Sequence, residues 1–344
     1  MKRNKRALIT GITGQDGSYL APFLLKKGYD VYGLVRRSSS DPFYRIEQLR
    51  LPKKIKILYG DLRDTASIDR AIAESQPDEI YNLAALADVG ISFLVPEETI
   101  EINYYGVGRL TNRAMTANPK VRIYQASTSD MFGNAKPPYN EKTRYNTTSP
   151  YGESKLKAHQ DFVEEYRRRY NLFICSGIMF NHESPVRHKN CVTRKITHSL
   201  AKIKLGKQEY FELGNIDTKR DWGYAGDYVE AMWKMLQQKK PDDYVIATGK
   251  SHSVRDFLNA AAKAIDIDII WSGKGLKEIG KNKKTGKTIV KINKKFFRPT
   301  EINHSRGDGS KARRKLGWEP KTSFNELAEM MAKSDLKLVR RETS

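Results

Sequence analysis

Tyr151 and Lys155 stand four residues apart in Ser149-Pro150-Tyr151-Gly152-Glu153-Ser154-Lys155, and the run from Leu156 to Val163 has helical composition. At that spacing both side chains share one helical face. Pro150 falls in the first turn, where a helix tolerates proline. An ammonium beside a phenol favours the phenolate, so Lys155 is expected to draw the Tyr151 pKa down. A phenol tuned in this way exchanges protons with an alcohol or sugar hydroxyl. Further hydroxyls and an acid, Ser127, Thr128, Ser129 and Asp130, close the apolar run Val121 to Ala126 just upstream.

These groups need a frame, and the chain supplies strands alternating with helices. Arg6 to Thr10 is a short apolar run, read as a buried strand. It leads through Gly11-Ile12-Thr13-Gly14-Gln15-Asp16-Gly17 into a helix expected from Ser18 to Lys27. Strand, glycine turn and helix form the context that gives a glycine motif meaning. Gly11 permits the tight turn, Gly14 lets backbone approach a pyrophosphate, and Gly17 lets helix pack on strand. The helix N-terminus then faces phosphate.

Further strands are expected at 30–35, 55–62, 79–85, 121–128 and 172–180, with helices at 65–75, around Asn103 and Gly106, and from Pro150. This order predicts an α/β fold, a Rossmann-type doubly wound parallel sheet with ligands at the carboxyl ends of its strands. The second strand ends in Arg36-Arg37-Ser38-Ser39-Ser40, with no acid for a free ribose hydroxyl. Arginine forks match phosphate geometry, so the cofactor is expected to be NADP rather than NAD. Asp61, at the end of the third strand, is placed to meet an adenine amine.

Composition narrows the class. The 344 residues are 39% hydrophobic, enough for a substantial core and for two domains. No apolar run reaches membrane-spanning length, and the basic start Met1 to Arg6 leads into a strand rather than a signal peptide. The expected location is cytoplasmic, which suits two cysteines without metal-ligand spacing. Six scattered histidines form no metal motif, so no metal is expected. The net charge of +22 raises nucleic-acid binding as a possibility. Much of the excess is local, however: Lys274 to Arg298 carries ten Lys or Arg and one Glu, a solvated hairpin and loop. Aromatics do not interleave there as on a base-stacking surface, so neither nucleic acid nor membrane is an expected partner.

Glycine turn, Asp61-Leu62, strand-end Ser/Thr and Tyr-x-x-x-Lys, in that order, resemble the extended short-chain dehydrogenase/reductase family. Closer motifs resemble the GDP-mannose 4,6-dehydratase family: Ile9 to Leu20, Arg36 to Ser40, Phe180-Asn181-His182-Glu183-Ser184-Pro185, Val192-Thr193-Arg194-Lys195, Lys219-Arg220-Asp221-Trp222-Gly223 and Arg298-Pro299-Thr300-Glu301. The resemblance runs from about Leu8 to Lys333. It implies an NADP-binding part, residues 1–180, with 215–240 packing back on it. A smaller nucleotide-sugar part comprises 181–214 and 241–344. The expected NADP contacts are Gly11, Thr13, Gly14, Gln15, Asp16, Gly17, Arg36, Ser38, Asp61, Leu62, Leu83, Ala84, Ala85, Tyr151, Lys155 and His182; for His182 a purely structural role stands equally open.

The same resemblance implies that Asn181, Lys195, Arg220 and Arg298 hold a GDP-sugar, the cations chiefly its diphosphate, and that Glu301 meets a ribose hydroxyl. Its implied reaction is a dehydration. Tyr151, Thr128 and Lys155 serve oxidation at C4, and a carboxylate then takes the C5 proton as water leaves from C6. The product is a 4-keto-6-deoxy sugar. A homo-tetramer joined at the Arg36-to-Arg45 loop is implied, with a dimer as the alternative.

Two departures bear on this expectation. The family has Ser-Thr-Ser-Glu where this chain has Ser127-Thr128-Ser129-Asp130, one methylene shorter. A displacement of about 1 Å can cost a catalytic group on the order of a hundredfold. Second, Leu83-Ala84-Ala85-Leu86-Ala87-Asp88-Val89 replaces a polar Gln-Ser-His turn. Asp88 is read either as a helix cap or as a sugar contact. The alternatives are therefore a GDP-4-keto-6-deoxyhexose reductase or epimerase, a dehydratase of another GDP-sugar such as a GDP-heptose, and a cofactor-sensing protein without turnover. The intact Thr128, Tyr151 and Lys155 argue against the last.

Overall fold

The structure, a computed structural model, describes residues 3–48, 54–297 and 300–342. Its centre is a seven-stranded, all-parallel sheet. The strands are β1 (Arg6–Thr10), β2 (Asp30–Val35), β3 (Lys56–Tyr59), β4 (Glu79–Asn82), β5 (Arg122–Thr128), β6 (Phe173–Met179) and β7 (Tyr244–Ile246), in spatial order 3-2-1-4-5-6-7. Strand order reverses between β1 and β4, and the crevice at such a reversal is where open α/β sheets take ligands. The helices that matter for the site are α1 (Gln15–Lys26), α2 (Thr65–Ser75), α3 (Gly106–Ala117), α4 (Pro150–Ala158), α5 (Val192–Lys204), α6 (Ala225–Leu236), α7 (Val254–Lys263) and α8 (Phe324–Arg341).

Both faces of the sheet are covered, as continuous apolar strands require. One buried cluster joins Ile9, Leu20, Leu24, Tyr124, Met232 and Trp318 beneath α1 and α6. The other joins Leu8, Ile68, Ile80, Leu110 and Ile174 beneath α2 and α3. A separate core, with Leu200, Phe211, Trp222, Phe257 and Met331, lies between α5, α7, α8 and a four-stranded sheet of 211–213, 269–272, 279–282 and 288–292. The lysine-rich stretch forms the 279–292 hairpin of that sheet.

The elements differ from expectation at three places. The helix after the glycine turn starts at Gln15, because Gly14 itself occupies the cap position. Strands three and four are shorter than expected, ending at Tyr59 and Asn82. Beyond Tyr59 the backbone of Asp61 turns to bond the Ser67 hydroxyl; beyond Asn82 the chain rises to meet Thr10. Finally, β7 lies in the main sheet beside β6, although residues from 241 onward were expected in the smaller part. Tyr244-Val245-Ile246 is fully buried, and three apolar residues suffice for an edge strand once Arg167 grips the preceding Asp243. Among the described residues, no helix is long and apolar enough to cross a membrane.

Candidate active site

The turn after β1 and the loop after β4 touch. Gly11 has φ +67°, and a Cβ there would lie 2.8 Å from the Ala84 nitrogen. A Cβ on Gly17 would lie 2.4 Å from the Ile12 Cα, so α1 can close on the turn only without one. Since α1 starts on Gly14 with no side-chain cap, its first amides are turned toward the crevice. These three features fit a dinucleotide diphosphate. Thr13 offers its carbonyl to Arg45, whose guanidinium also reaches the Val186 carbonyl.

Farther along the crevice rim, Arg36 is exposed and Ser38 bonds Ser40. Arg36 lies close enough to Asp61 to help hold its pKa down. The acid is less available to an adenine amine than expected. Both its oxygens engage the Arg63 guanidinium, at 2.7 and 3.0 Å, because Arg63 sits two residues on in the same tight turn. Leu62 is buried beneath Gly106, while Leu83, Ala84 and Ala85 are half-buried.

The chemistry-bearing groups meet at the carboxyl end of β5. Ser149 caps α4 by accepting from the Gly152 amide, and Pro150 takes the first helical position. That cap brings Tyr151 to Thr128, close enough for the hydroxyl to act on the phenol's pKa. Thr128 also donates to Asp130 Oδ2 at 3.1 Å and accepts from the Asp130 amide at 3.2 Å. Phenol, hydroxyl and carboxylate thus gather at one corner, with the hydroxyl bonded to the acid.

The electrostatics correct one expectation. Burial, followed by the Asp130 charge, raises the Tyr151 pKa, and the nearby Thr128 hydroxyl only partly opposes this. Lys155 does not draw it down: its ammonium donates to the Ala126 carbonyl at 3.0 Å, and burial lowers its own pKa to about 8. One helical face places the two residues side by side, but the carbonyl at the strand end, not the phenol, receives the ammonium.

Two helical irregularities support this corner. The helix expected around Asn103 runs from a short α segment, Pro96–Ile100, through a π turn, Glu101–Tyr105, into α3. Wide turns of this kind recur at functional sites. Here the turn carries buried Asn103, whose amide brackets the Leu86 backbone, accepting from its N–H at 2.9 Å and donating to its carbonyl at 3.0 Å. The same amide lies 3.2 Å from Ser154 Oγ, which donates to the Tyr151 carbonyl. A second π turn, His159–Glu164, extends α4. Asp88 is exposed and caps the short helix Val89–Leu94, accepting from the Ile91 amide at 3.1 Å. The helix-cap role is therefore the one observed.

His182 and Asp16 close the corner from the other side. His182 Nε2 lies 2.9 Å from Asp16 Oδ2, and Nδ1 lies 2.7 Å from the Phe180 carbonyl. Gln15 reaches the same segment, donating to the His182 carbonyl and accepting from the Ser184 hydroxyl. Arg187 was not anticipated. Its charge acts on Asp16, on Glu183 3.3 Å away, and on Tyr151, where it favours the phenolate. Its place two residues beyond the Asn181–Pro185 motif was the available signal. Buried Asp221, equally unremarked, accepts from the Thr248, Gly249 and Gly307 amides and so fixes the strand that carries Arg220.

The residues expected to hold a nucleotide sugar fall into two groups. Arg220 pairs with Glu301 at 3.0 Å, and neighbouring Thr300 donates to the Thr148 carbonyl just ahead of α4. Lys195 instead sits over the Phe296 ring. Asn181 is half-buried, its carbonyl taken by the Gly223 amide. Arg298 lies outside the described residues.

A glycine turn at the reversal point of a parallel sheet, with Thr, Tyr and Lys at the end of β5, defines an extended short-chain dehydrogenase/reductase. Within that class the chain belongs to the GDP-mannose 4,6 dehydratase family, whose pattern matches residues 8–331. It is 51% identical over 348 residues to the GDP-mannose 4,6 dehydratase of Drosophila melanogaster, covering 98% of this chain and 88% of the fly protein. The fold matches dTDP-glucose 4,6-dehydratase from Bacillus anthracis in complex with NAD, with TM-score 0.79, 18% identity and 97% of each chain covered. It also matches RMD from Pseudomonas aeruginosa complexed with NADPH, with TM-score 0.77, 19% identity, and 97% and 100% covered.

Proposed function

We propose that this protein converts GDP-mannose to GDP-4-keto-6-deoxy-mannose, using NADP. The observation that carries the reading is the gathering of the Tyr151 phenol, the Thr128 hydroxyl and the Asp130 carboxylate in one corner of a chain of this family. A simple alcohol dehydrogenase needs the first two groups; only an elimination needs the third.

When bound, the nicotinamide cofactor accepts hydride from the sugar C4 and returns hydride to C6. The protein's residues manage the protons and the geometry. Tyr151 takes the C4 hydroxyl proton, with Thr128 holding that hydroxyl. The phenol, its pKa raised by burial, needs positive charge to ionise, and Arg187 is the cation whose charge favours the phenolate. The 4-keto group acidifies C5–H; Asp130 removes that proton and later returns it to C5, while the C6 hydroxyl departs as water with the proton that Tyr151 took from the C4 hydroxyl. Arg36 and Ser38 are assigned to the 2′-phosphate of the adenosine ribose. Arg220 and Lys195 are assigned to the nucleotide of the substrate, and so is Glu301, whose partner Arg220 is shared with it.

The length of Asp130 favours a second reading. Its carboxylate folds back onto Thr128, as a short side chain on the same tight turn does, and a reductase or epimerase of GDP-4-keto-6-deoxyhexoses would tolerate that. A larger GDP-sugar, such as a GDP-heptose, is compatible with the apolar Leu83–Ala87 wall. Assembly as a tetramer through the 36–45 loop belongs to the same reading and is checked by light scattering.

The test is incubation with GDP-mannose and catalytic NADP. Loss of one water by mass, without net change in NADPH absorbance, supports the dehydratase. Unchanged GDP-mannose, together with NADPH-dependent consumption of a GDP-4-keto-6-deoxyhexose, overturns it in favour of the reductase.

A further inference from the structure

We propose that His159, Glu164 and Asp243 form a site for one divalent transition-metal ion of the zinc class, which ties the start of edge strand β7 to the helical extension of α4. These are residues that the proposed reaction does not use, so the inference stands or falls independently of it.

The π turn His159–Glu164 makes the site possible. In an α-helix, residues five apart are about 140° apart around the axis, and their side chains diverge. A π turn closes i onto i+5 and brings them together. His159 Nε2 accordingly lies 3.4 Å from Glu164 Oε1. That is long for a hydrogen bond. It matches the spacing of about 3.4 Å between two ligands that share a tetrahedral ion with bonds of about 2.1 Å. Asp243, just ahead of β7, supplies the third ligand: one ligating atom from each of the three residues lies within 4.8 Å of the other two. The Tyr145 hydroxyl stands 3.0 Å from the same Nε2. Sequence spacing could not show this set, because Asp243 arrives from a distant segment.

His159 is 1% exposed, and its Nδ1 has no hydrogen-bond partner among the described residues. Burying an unpaired polar atom is costly, and an apolar ring would fill the space without that cost. The imidazole is therefore explained by what Nε2 does. The charge around it is negative, in a chain of net charge +22. After burial, the charges of Glu164, Asp243 and Glu141 push the Tyr145 pKa up. Arg167 grips both oxygens of Asp243, at 2.6 and 3.0 Å, and the Ser176 amide donates to Oδ1. A carboxylate has about four acceptor sites, so Oδ2 keeps one open. Its direction is fixed by Arg167 and Ser176, as outer partners fix metal ligands elsewhere. Two carboxylates balance a dication, and the imidazole disfavours Mg²⁺ and Ca²⁺, which take oxygen ligands. A Tyr145 hydrogen bond alone would account for Nε2 but not for the convergence of two acids on it.

The test is calorimetric titration of the full chain, first dialysed against EDTA, with Zn²⁺. One ion per chain is expected, with a Kd in the micromolar range or tighter. At about a hundredfold excess over Kd, Zn²⁺ should raise the melting temperature by about 3 °C, whereas Mg²⁺ at the same concentration should leave it unchanged. Glu164 is exposed, so Glu164→Gln is expected to fold; it should weaken Zn²⁺ binding by about tenfold or more and lose the rise in melting temperature. A wild type that takes up no Zn²⁺, or that Mg²⁺ stabilises equally, overturns the inference. So does a Glu164→Gln protein that binds Zn²⁺ as tightly as wild type, since the ion then sits elsewhere. The wild-type titrations need no variant to fold, and none of these outcomes depends on turnover of a sugar nucleotide.

Discussion

The corner at the end of β5 and the lysine-rich face of the smaller sheet are built in opposite ways. In the corner, Lys155 and Thr128 are buried, and the Lys155 ammonium crosses from α4 to the Ala126 carbonyl of β5. Asn103 ties the loop after β4 to α4. On the lysine-rich face, Lys295, Phe296 and Glu212 keep water contact, and their partners lie within the 291–296 segment or the first turn of α5. Low dielectric strengthens fixed dipoles in the first region and raises the cost of any unpaired group. Screening weakens each contact in the second. The corner therefore suits bond-making, where geometry decides rate, and the face suits recognition, where several modest contacts add up. Substitutions in the corner should lower kcat, and substitution of Lys195 on the face should raise KM.

The largest effect is expected from Tyr151→Phe, which removes the group proposed to take the C4 proton. Turnover should fall by about a thousandfold, with KM for GDP-mannose changed little. A fall confined to KM would dissolve the contrast between the two regions. Asp130→Asn comes next. It keeps shape but removes the base for C5, so water loss should drop by about a hundredfold or more. Hydride transfer at C4 should persist and be visible as a single-turnover rise in NADPH absorbance. Asp130→Glu sharpens the point, because it lengthens the carboxylate by the missing methylene. Faster water loss in Asp130→Glu would show that the corner is strained by its short acid; slower loss would show that the backbone has adapted to aspartate.

Asn103→Ala should cost about tenfold in kcat by loosening the loop that carries Leu86 and, through Ser154, the start of α4. Leaving the Leu86 backbone groups unpaired also destabilises the fold by about 1–3 kcal/mol. The readout that separates positioning from mere stability is Asn103→Asp, which keeps the acceptor for the Leu86 N–H but loses both donations. An intermediate kcat at full folding supports positioning, whereas wild-type kcat argues against it.

How much of this could be read in the chain differs between the two regions as well. The glycine turn, Thr128, Asp130, Tyr151 and Lys155 were legible because local spacing determines which helix face or strand end a residue occupies. The direction of the Lys155 ammonium was not, because it depends on the Ala126 carbonyl, from a different element. The same holds for β7: three apolar residues carry no periodic signal, and only the edge of β6 makes them a strand. Arg187 and Asp221 were overlooked because their partners, Asp16 and Gly307, are far away in sequence. On the lysine-rich face the charge was obvious, but the pairing of Glu212 with Lys295 was not, because it forms only once the 211–213 and 288–292 strands pair.

The smallest effect probes the hinge between the regions. Both His182 ring nitrogens face acceptors, the Phe180 carbonyl and the Asp16 carboxylate, an arrangement that favours the doubly protonated ring. Burial opposes that charge, but Asp16 outweighs it, leaving the His182 pKa raised and the Asp16 pKa lowered. A raised histidine pKa contributes stability that is complete below the unfolded value of about 6.5 and is lost as pH rises through the folded value. A lowered aspartate pKa contributes above about 3.9 and is lost as pH falls through the folded value. The pair is therefore at full strength between those two unfolded values and fades on the alkaline side as the imidazole gives up its proton. His182→Gln should melt below wild type by on the order of 2 °C near pH 6, with the gap closing by pH 9. Substitutions on the lysine-rich face should show no such pH dependence. A His182→Gln gap that stays constant across that range would mean that the ring acts there through its shape, stacked on Tyr228, rather than through its charge.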